Sequence, residues 1–347
     1  MIELIGEHWL LAAMGFLGGI ALGLAARLGR FCTLGALEDF QYGHETVRLR
    51  MWGLALGSAI TGTFLAAAFG WLDVSTAIYL TEAPPLLAAA TGGLIFGLGM
   101  ALAGNCGFGA LARLGGGEMR SFVVVVVIGV SALATASGVL SPLRLAMFPE
   151  PSVQGISITG ALGRATGLSP TALGLAIGLA ICALSARTGG WRILWGLPVG
   201  LAIAGGLIGT HYVAAHGFEP VAVRSHSFSA PIGETFIWLM LSSGLSPSFA
   251  SGSVLGVLAG AVAGSRIRGV FRWQACDDHR ELHRQIVGAA MMGFGAVLSL
   301  GCSIGQGISA FAVLGLSAPV TLAAIWIGGW IGLRVLVEGR MFGLESP

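Results

Sequence analysis

The sequence has no lysine, only three tyrosines and few charged side chains of either sign. Its 18 basic residues are therefore all arginine, and with 16 acids the net charge is +2. Charged residues make up 10% of the chain, against about 25% in soluble domains. So little charge cannot cover a water-facing surface, which excludes an ordinary soluble protein. A net charge this small provides no broad basic face, which removes nucleic-acid binding. No nucleotide-binding motif occurs, so the chain does not drive pumping with ATP by itself. Apart from His8 at the edge of the first, His211 is the sole histidine within the apolar runs. The facing histidines that a haem needs are lacking, as is a base beside a thiol for nucleophilic catalysis. The cysteines, five in all, are odd in number and scattered, which argues for free thiols over a disulfide framework. No basic stretch precedes the first apolar run and no small-residue cleavage site follows it. That run is expected to remain as a helix, not to leave as a signal peptide.

What the chain has instead is apolar bulk and glycine. Hydrophobic residues account for 55% of it, and mean hydropathy is +0.86. Glycine occupies 57 of 347 positions, more than twice the usual ~7%. Glycine-rich apolar sequence suits helices that pack closely inside a bilayer. The fold class is an all-α polytopic membrane protein with about nine crossings, each needing ~20 apolar residues. The expected spans are His8–Ala26, Met51–Trp71, Pro85–Ala103, Phe122–Leu140, Pro170–Ala186, Ile193–Tyr212, Phe249–Gly264, Ile286–Leu300 and Pro319–Leu333. Threaded alternately, they bring all the main arginine clusters to one side. These are Arg27/Arg30/Arg48/Arg50, Arg113/Arg120, Arg187/Arg192, the run from Arg266 to Arg284, and Arg334/Arg340. The positive-inside rule makes that side cytoplasmic, so the N-terminus is expected outside and the C-terminus inside. Arg144, Arg164 and Arg224 fall opposite.

Four apolar pieces are too short or too broken by glycine to cross: Phe31–Phe40, Asn105–Arg113, Pro231–Ser243 and Cys302–Leu314. Such pieces are re-entrant, and irregular backbone survives at membrane depth only when buried in protein or lining a polar cavity. The chain also repeats itself. Gly97-Leu-Gly-Met-Ala-Leu-Ala-Gly-Asn-Cys106-Gly-Phe-Gly109 matches Gly293-Phe-Gly-Ala-Val-Leu-Ser-Leu-Gly-Cys302-Ser-Ile-Gly305 at an offset of 302 − 106 = 196. The same offset lays Glu38 on Glu234, Phe40 on Phe236 and Thr33 on Ser229. The two copies run in opposite senses through the membrane, so an inverted repeat is expected. Residues 8–140 form one half, 141–192 a connector holding the fifth span, and 193–333 the other half, within a single transport domain of residues 1–347.

Cys32, Cys106 and Cys302 each open a short glycine-broken segment after a full span, where free N–H groups and the helix dipole favour an anion. Asn105, Ser303, Gln306 and Arg30 lie beside them in sequence and complete the candidate path. Arg27 and Arg30 either attract anions at a mouth or simply anchor topology. Glu38 and Glu234 are expected to cap backbone N–H groups in preference to coupling protons. Cys182 lies in a plain apolar run and reads as packing. Cys276 belongs to Cys276-Asp-Asp-His279-x-x-x-His283, whose spacing fits no zinc pattern and reads as a solvated loop, so no metal is assigned. No cofactor and no catalytic residue are assigned either.

These motifs together resemble the YeeE/YedE family of bacterial membrane proteins, which transport sulfur compounds and take up thiosulfate. The resemblance rests on Arg30-Phe-Cys32, the Gly97–Gly109 run, Arg113-Leu-Gly-Gly-Gly-Glu118, Arg268-Gly-Val-Phe-Arg272 and the Met292–Gly307 run. It implies an inverted pair of helical halves around a narrow path on which Cys32, Cys106 and Cys302 contact the substrate in turn. It also implies a cytoplasmic sulfur-carrier partner of the TusA type, for which the arginine-rich loop Arg266–Arg284 is the candidate dock. Asn105 stands where many relatives have glycine, which leaves the exact sulfur substrate open. Thiosulfate, sulfite or a selenium compound all remain, as does covalent handling of sulfane sulfur on a cysteine.

Overall fold

The computed structural model describes residues 6–149, 152–187, 190–275 and 279–338. Among them the chain is all helix and loop, without a strand. Its main helices are α1 (Glu7–Leu28), α2 (Thr33–Gln41), α3 (Val47–Ala68), α4 (Leu86–Ala103), α5 (Gly107–Leu114), α6 (Met119–Ala136) and α7 (Ile158–Thr166). They continue with α8 (Pro170–Ala186), α9 (Gly196–His216), α10 (Ser229–Met240), α11 (Phe249–Ile267), α12 (His279–Leu298) and α13 (Ser317–Glu338). Large apolar side chains such as Trp9, Leu17, Leu65, Val130, Leu201 and Ile327 are exposed on the outside, the arrangement of a protein whose solvent is lipid.

This is an all-α polytopic membrane protein. Among the described residues seven stretches are long and apolar enough to cross, and an eighth forms if α7 and α8, bent by 114°, count as one broken span. The difference from nine has physical causes. The fifth expected span is the 17-residue α8, short of a full crossing on its own. The eighth, Ile286–Leu300, falls on α12, which opens with His279-Arg-Glu-Leu-His-Arg, so charge dilutes the helix's apolar run. All four expected re-entrant pieces are short helices in the structure: α2, α5, α10 and a single π-helical segment, Gly305–Ala310.

Glycine sets the packing. On α1, Gly15, Gly19 and Gly23 press against the backbone of α11, whose Gly252, Gly256 and Gly260 press back against Ala12, Phe16 and Ile20. Spacings of four residues on both helices let the two backbones meet, the small-x-x-x-small rule of membrane helices. At the centre α4 crosses α12 reciprocally. A Cβ on Gly92 would stand 2.7 Å from the Gly295 carbonyl, and one on Gly295 would stand 2.6 Å from that of Gly92. Gly99 and Gly288 repeat the relation at 2.5 Å in each direction. α13 then packs on α4 and α6 on α12, while α3 packs on α9 as α1 does on α11.

Candidate functional site

Each of the three candidate thiols begins a broken segment. Cys32 is the N-cap of α2 and its Sγ accepts the Gly35 N–H at 3.4 Å. Cys106 is the N-cap of α5 and accepts the Gly109 N–H at 3.4 Å. Cys302 accepts the Gly305 N–H at 3.4 Å, and also the Phe228 N–H at 3.4 Å from the start of α10. A chain entering a helix leaves its first N–H groups without partners, and a sulfur lone pair satisfies one of them. Accepting that bond does not consume the S–H proton, so each thiol can still donate.

The three sit within one buried cluster. Cys106 and Cys302 are 1% exposed, while Cys32 is half-buried and opens onto a cavity. Cys106 lies within electrostatic range of Ser303, Cys32 and Cys302. Thr33 donates to Ser303 at 3.2 Å, tying the segment after Cys32 to the one after Cys302. An aromatic row flanks the thiols: Trp52 stacks on Phe31 at 5.4 Å, Phe31 meets Phe108 edge-on at 6.4 Å, and Phe108 meets Phe228 at 5.2 Å. Asn105 is buried and its Oδ1 lacks a partner. Gln306 donates through Nε2 to the Leu300 carbonyl at 3.2 Å, so it clamps the Cys302 turn, while its Oε1 is unpartnered.

Cavities open at the two ends. On the arginine-rich side a cavity of about 370 Å³ is lined by Arg27, Arg30, Arg48, Arg113 and Arg268, with Glu38 and Cys32. The sequence left Arg30 undecided between anchor and mouth; it is exposed and faces this vestibule. Arg48 is paired with Asp39 at 3.2 Å, and Arg27 donates to Ser265 at 2.7 Å. On the opposite side a narrower cavity of about 220 Å³ holds Tyr79, Arg224, Ser225, Ser227 and Glu234. Its inner wall reaches the thiols, because Ser227 Oγ lies 3.7 Å from Cys302 Sγ. The capping role expected for the two glutamates is not what the structure shows. Both stand beyond the first turn of their helices, past the free N–H groups a cap would serve. Glu234 instead meets Arg224 at 3.3 Å, and Glu38 faces the vestibule arginines.

Cys182 is away from this cluster: its Sγ packs where α8 meets Gly57 of α3. Cys276 lies outside the described residues. A larger cavity, about 650 Å³, lies elsewhere, and its mostly apolar lining between α3, α8 and α13 does not suit an anion. Sequence reasoning missed Ser227 and Phe228, which hold Cys302, and Arg224 with Tyr79 in the narrow mouth. The signal was the 196-residue offset itself, which lays Phe31-Cys32-Thr33 on Ser227-Phe228-Ser229.

A family profile described as Sulphur transport matches residues 28–331. The thiosulfate transporter TsuA of Spirochaeta thermophila is 25% identical over 336 residues, covering 91% of this chain and 96% of that protein. The thiosulfate transporter TsuA of Escherichia coli K12 is 26% identical over 338 residues, covering 94% of this chain and 91% of that one.

Proposed function

This chain belongs to the sulphur-transport family, and from that premise we propose that it carries thiosulfate across the bacterial inner membrane along its three thiols. It is a transporter of sulfur compounds and not an enzyme. The observation that carries the thiosulfate reading is the set of capped thiols between two polar mouths. Cys302 stands next to the narrow mouth, Cys106 is buried between, and Cys32 opens to the vestibule. The names of the two relatives support the substrate.

Thiosulfate is a dianion with a soft terminal sulfur, and its passage through hydrocarbon without partners is prohibitively costly. Conduction needs sites that are favourable to enter and weak enough to leave. Neutral thiols meet both needs. Each S–H is a weak, polarisable donor, and each sulfur is held in place by a backbone N–H at the positive end of a short helix. A thiolate would repel the dianion, so the path works with its thiols protonated. The arginines stand in the open vestibule, where water screens them and attraction does not become a trap. The narrow mouth offers a cation already paired with Glu234. We place the vestibule in the cytoplasm, following the arginine bias, and an acidic sulfur-carrier protein of the TusA type at its rim.

The inverted repeat is part of the same reading. The reciprocal crossing of Gly92 with Gly295 and of Gly99 with Gly288 supports it, because 92 + 196 = 288 and 99 + 196 = 295. A twofold relation between the halves requires that exchange of partners. The test is growth on thiosulfate of a bacterium lacking its own thiosulfate uptake, with membrane levels checked. Wild type and Cys182→Ala are expected to rescue growth, and Cys106→Ala and Cys302→Ala to fail. Equal rescue by wild type and all three variants reduces the cysteines to packing. Failure of well-expressed wild type points to another substrate or to a missing partner.

A further inference from the structure

The two longer re-entrant helices differ at their first residues. Cys32 caps α2, whereas its counterpart at offset 196, Phe228, has no side-chain atom that accepts a hydrogen bond and leaves α10 uncapped. The Phe228 N–H is taken by Cys302. Pro231 brings no N–H to this first turn, which leaves those of Ser229 and Ala230 at the helix end. Ser229 itself is 0% exposed, and its hydroxyl has no hydrogen-bond partner. A buried hydroxyl without a partner costs free energy, so its retention asks for a ligand.

Its surroundings say which ligand. Gly107 directly follows Cys106, and a Cβ there would lie 3.6 Å from Ser229 Oγ, at ordinary contact distance. Ser229 thus reaches from the segment that holds Cys302 to the turn that holds Cys106. In the other half the corresponding pair is closed: Thr33 donates to Ser303, the residue after Cys302. With glycine at 107, Ser229 has no such partner and its hydroxyl is left over. We infer that Ser229 and the uncapped N-terminus of α10 form a fourth anion-binding station between Cys302 and Cys106, which holds the oxygen end of a sulfur oxyanion. The thiols meet the soft sulfur while hydroxyl and N–H groups meet the hard oxygens. The station rests on the proposed path and adds a contact that discriminates between anions with and without oxygen.

Purified protein in detergent and radiolabelled thiosulfate provide the test, with binding measured at equilibrium and uptake in proteoliposomes. Ser229→Ala is expected to weaken thiosulfate binding roughly tenfold or more, the value of one hydrogen bond to a charged group. Ser229→Thr, which keeps the hydroxyl, is expected to restore it. Gly107→Ser supplies the partner that Thr33 already has, and is expected to weaken thiosulfate binding similarly without adding to Ser229→Ala in the double variant. Competition by hydrosulfide, which has no oxygen, is expected to change less than twofold in all three. A merely structural Ser229 would instead lower the ligand-free melting temperature and weaken both anions together. Unchanged thiosulfate binding in Ser229→Ala and Gly107→Ser, with uptake still lost in Cys106→Ala, overturns the station alone. Uptake retained in Cys106→Ala overturns the path on which it rests. Should Ser229→Ala fail to fold, Gly107→Ser and Ser229→Thr decide the matter.

Discussion

In the Cys106 turn a glycine, Gly104, holds the left-handed conformation (φ 72°) two residues before the thiol; in the Cys302 turn a leucine, Leu300, holds it (φ 50°). Three residues after each thiol a glycine N–H bonds to the sulfur at 3.4 Å. The backbones agree to that point and then part. Beyond Cys106 the chain forms the α-helix Gly107–Leu114, and beyond Cys302 the π-helical segment Gly305–Ala310. Cys106 holds the one N–H of Gly109, whereas Cys302 also gathers Phe228 and Ser227 from the approach to α10. The reversal and the thiol are shared, and the donors around them are not. One skeleton therefore serves two unlike neighbourhoods, a five-arginine vestibule on one side and a single Arg224–Glu234 pair on the other.

The largest expected effect comes from breaking what both turns share, the crossing of α4 with α12. Gly99→Val and Gly288→Val each drive a branched side chain into backbone that stands 2.5 Å from the site of a Cβ. No flexible side chain can move aside there, and overpacking against a main chain costs at least ~1–3 kcal/mol. Both variants are expected to lose most folded protein from membranes, by size-exclusion chromatography, and to lose it equally. A clear inequality between them would break the reciprocity of the crossing.

A second, smaller effect separates the turns. Cys106→Ala leaves one backbone N–H without its acceptor, that of Gly109, and Cys302→Ala leaves two, those of Gly305 and Phe228. A buried donor left unsatisfied costs ~1–3 kcal/mol, less for a bond to sulfur. Both variants are expected to lose transport, and Cys302→Ala to melt at a lower temperature than Cys106→Ala. Equal melting temperatures would mean that the extra donor from α10 contributes nothing.

How much of this was legible in the sequence follows from what each feature depends on. Full spans such as Val47–Ala68 are local matters of length and apolar content, so they were readable. The breaks before Cys32, Cys106 and Cys302 were readable through their glycines. α7 was not, because Ile158–Thr166 is short, contains Arg164 and bends onto α8 only in the folded protein. Arg48, Arg113 and Arg268 read as topology signals alone, and nothing local says that they converge on one vestibule. The glutamates were misread for lack of helix starts: with α2 beginning at Thr33 and α10 at Ser229, neither lies where a cap is needed. Phe228 and Ser229 matter through a main-chain N–H and an orphaned hydroxyl, and both depend on segments some 70 or more residues apart meeting, as Phe228 meets Cys302.

The smallest effect reverses sign between the turns. A leucine in the left-handed region costs ~1–2 kcal/mol relative to a right-handed conformation, a penalty that glycine escapes. Leu300 persists there because its surroundings hold it: Gln306 Nε2 donates to its carbonyl at 3.2 Å, the Gly301 N–H reaches back to Ala296 at 2.8 Å, and Ser299 Oγ donates to the Gly301 carbonyl at 2.9 Å. Residue 110, where the offset would put the glutamine of the other turn, is alanine, which suits a turn already eased by Gly104. Leu300→Gly is therefore expected to stabilise the protein by up to ~1 kcal/mol, and Gly104→Leu to destabilise it by ~1–2 kcal/mol. Gln306→Ala is expected to cost about 1 kcal/mol in the native background and less once Leu300→Gly has removed the strain that the clamp opposes. Thermal melts of the four-member cycle read this directly. Additive costs would show that the glutamine does not serve the leucine, and a destabilised Leu300→Gly would show that the leucine side chain is worth more to the narrow mouth than its backbone costs.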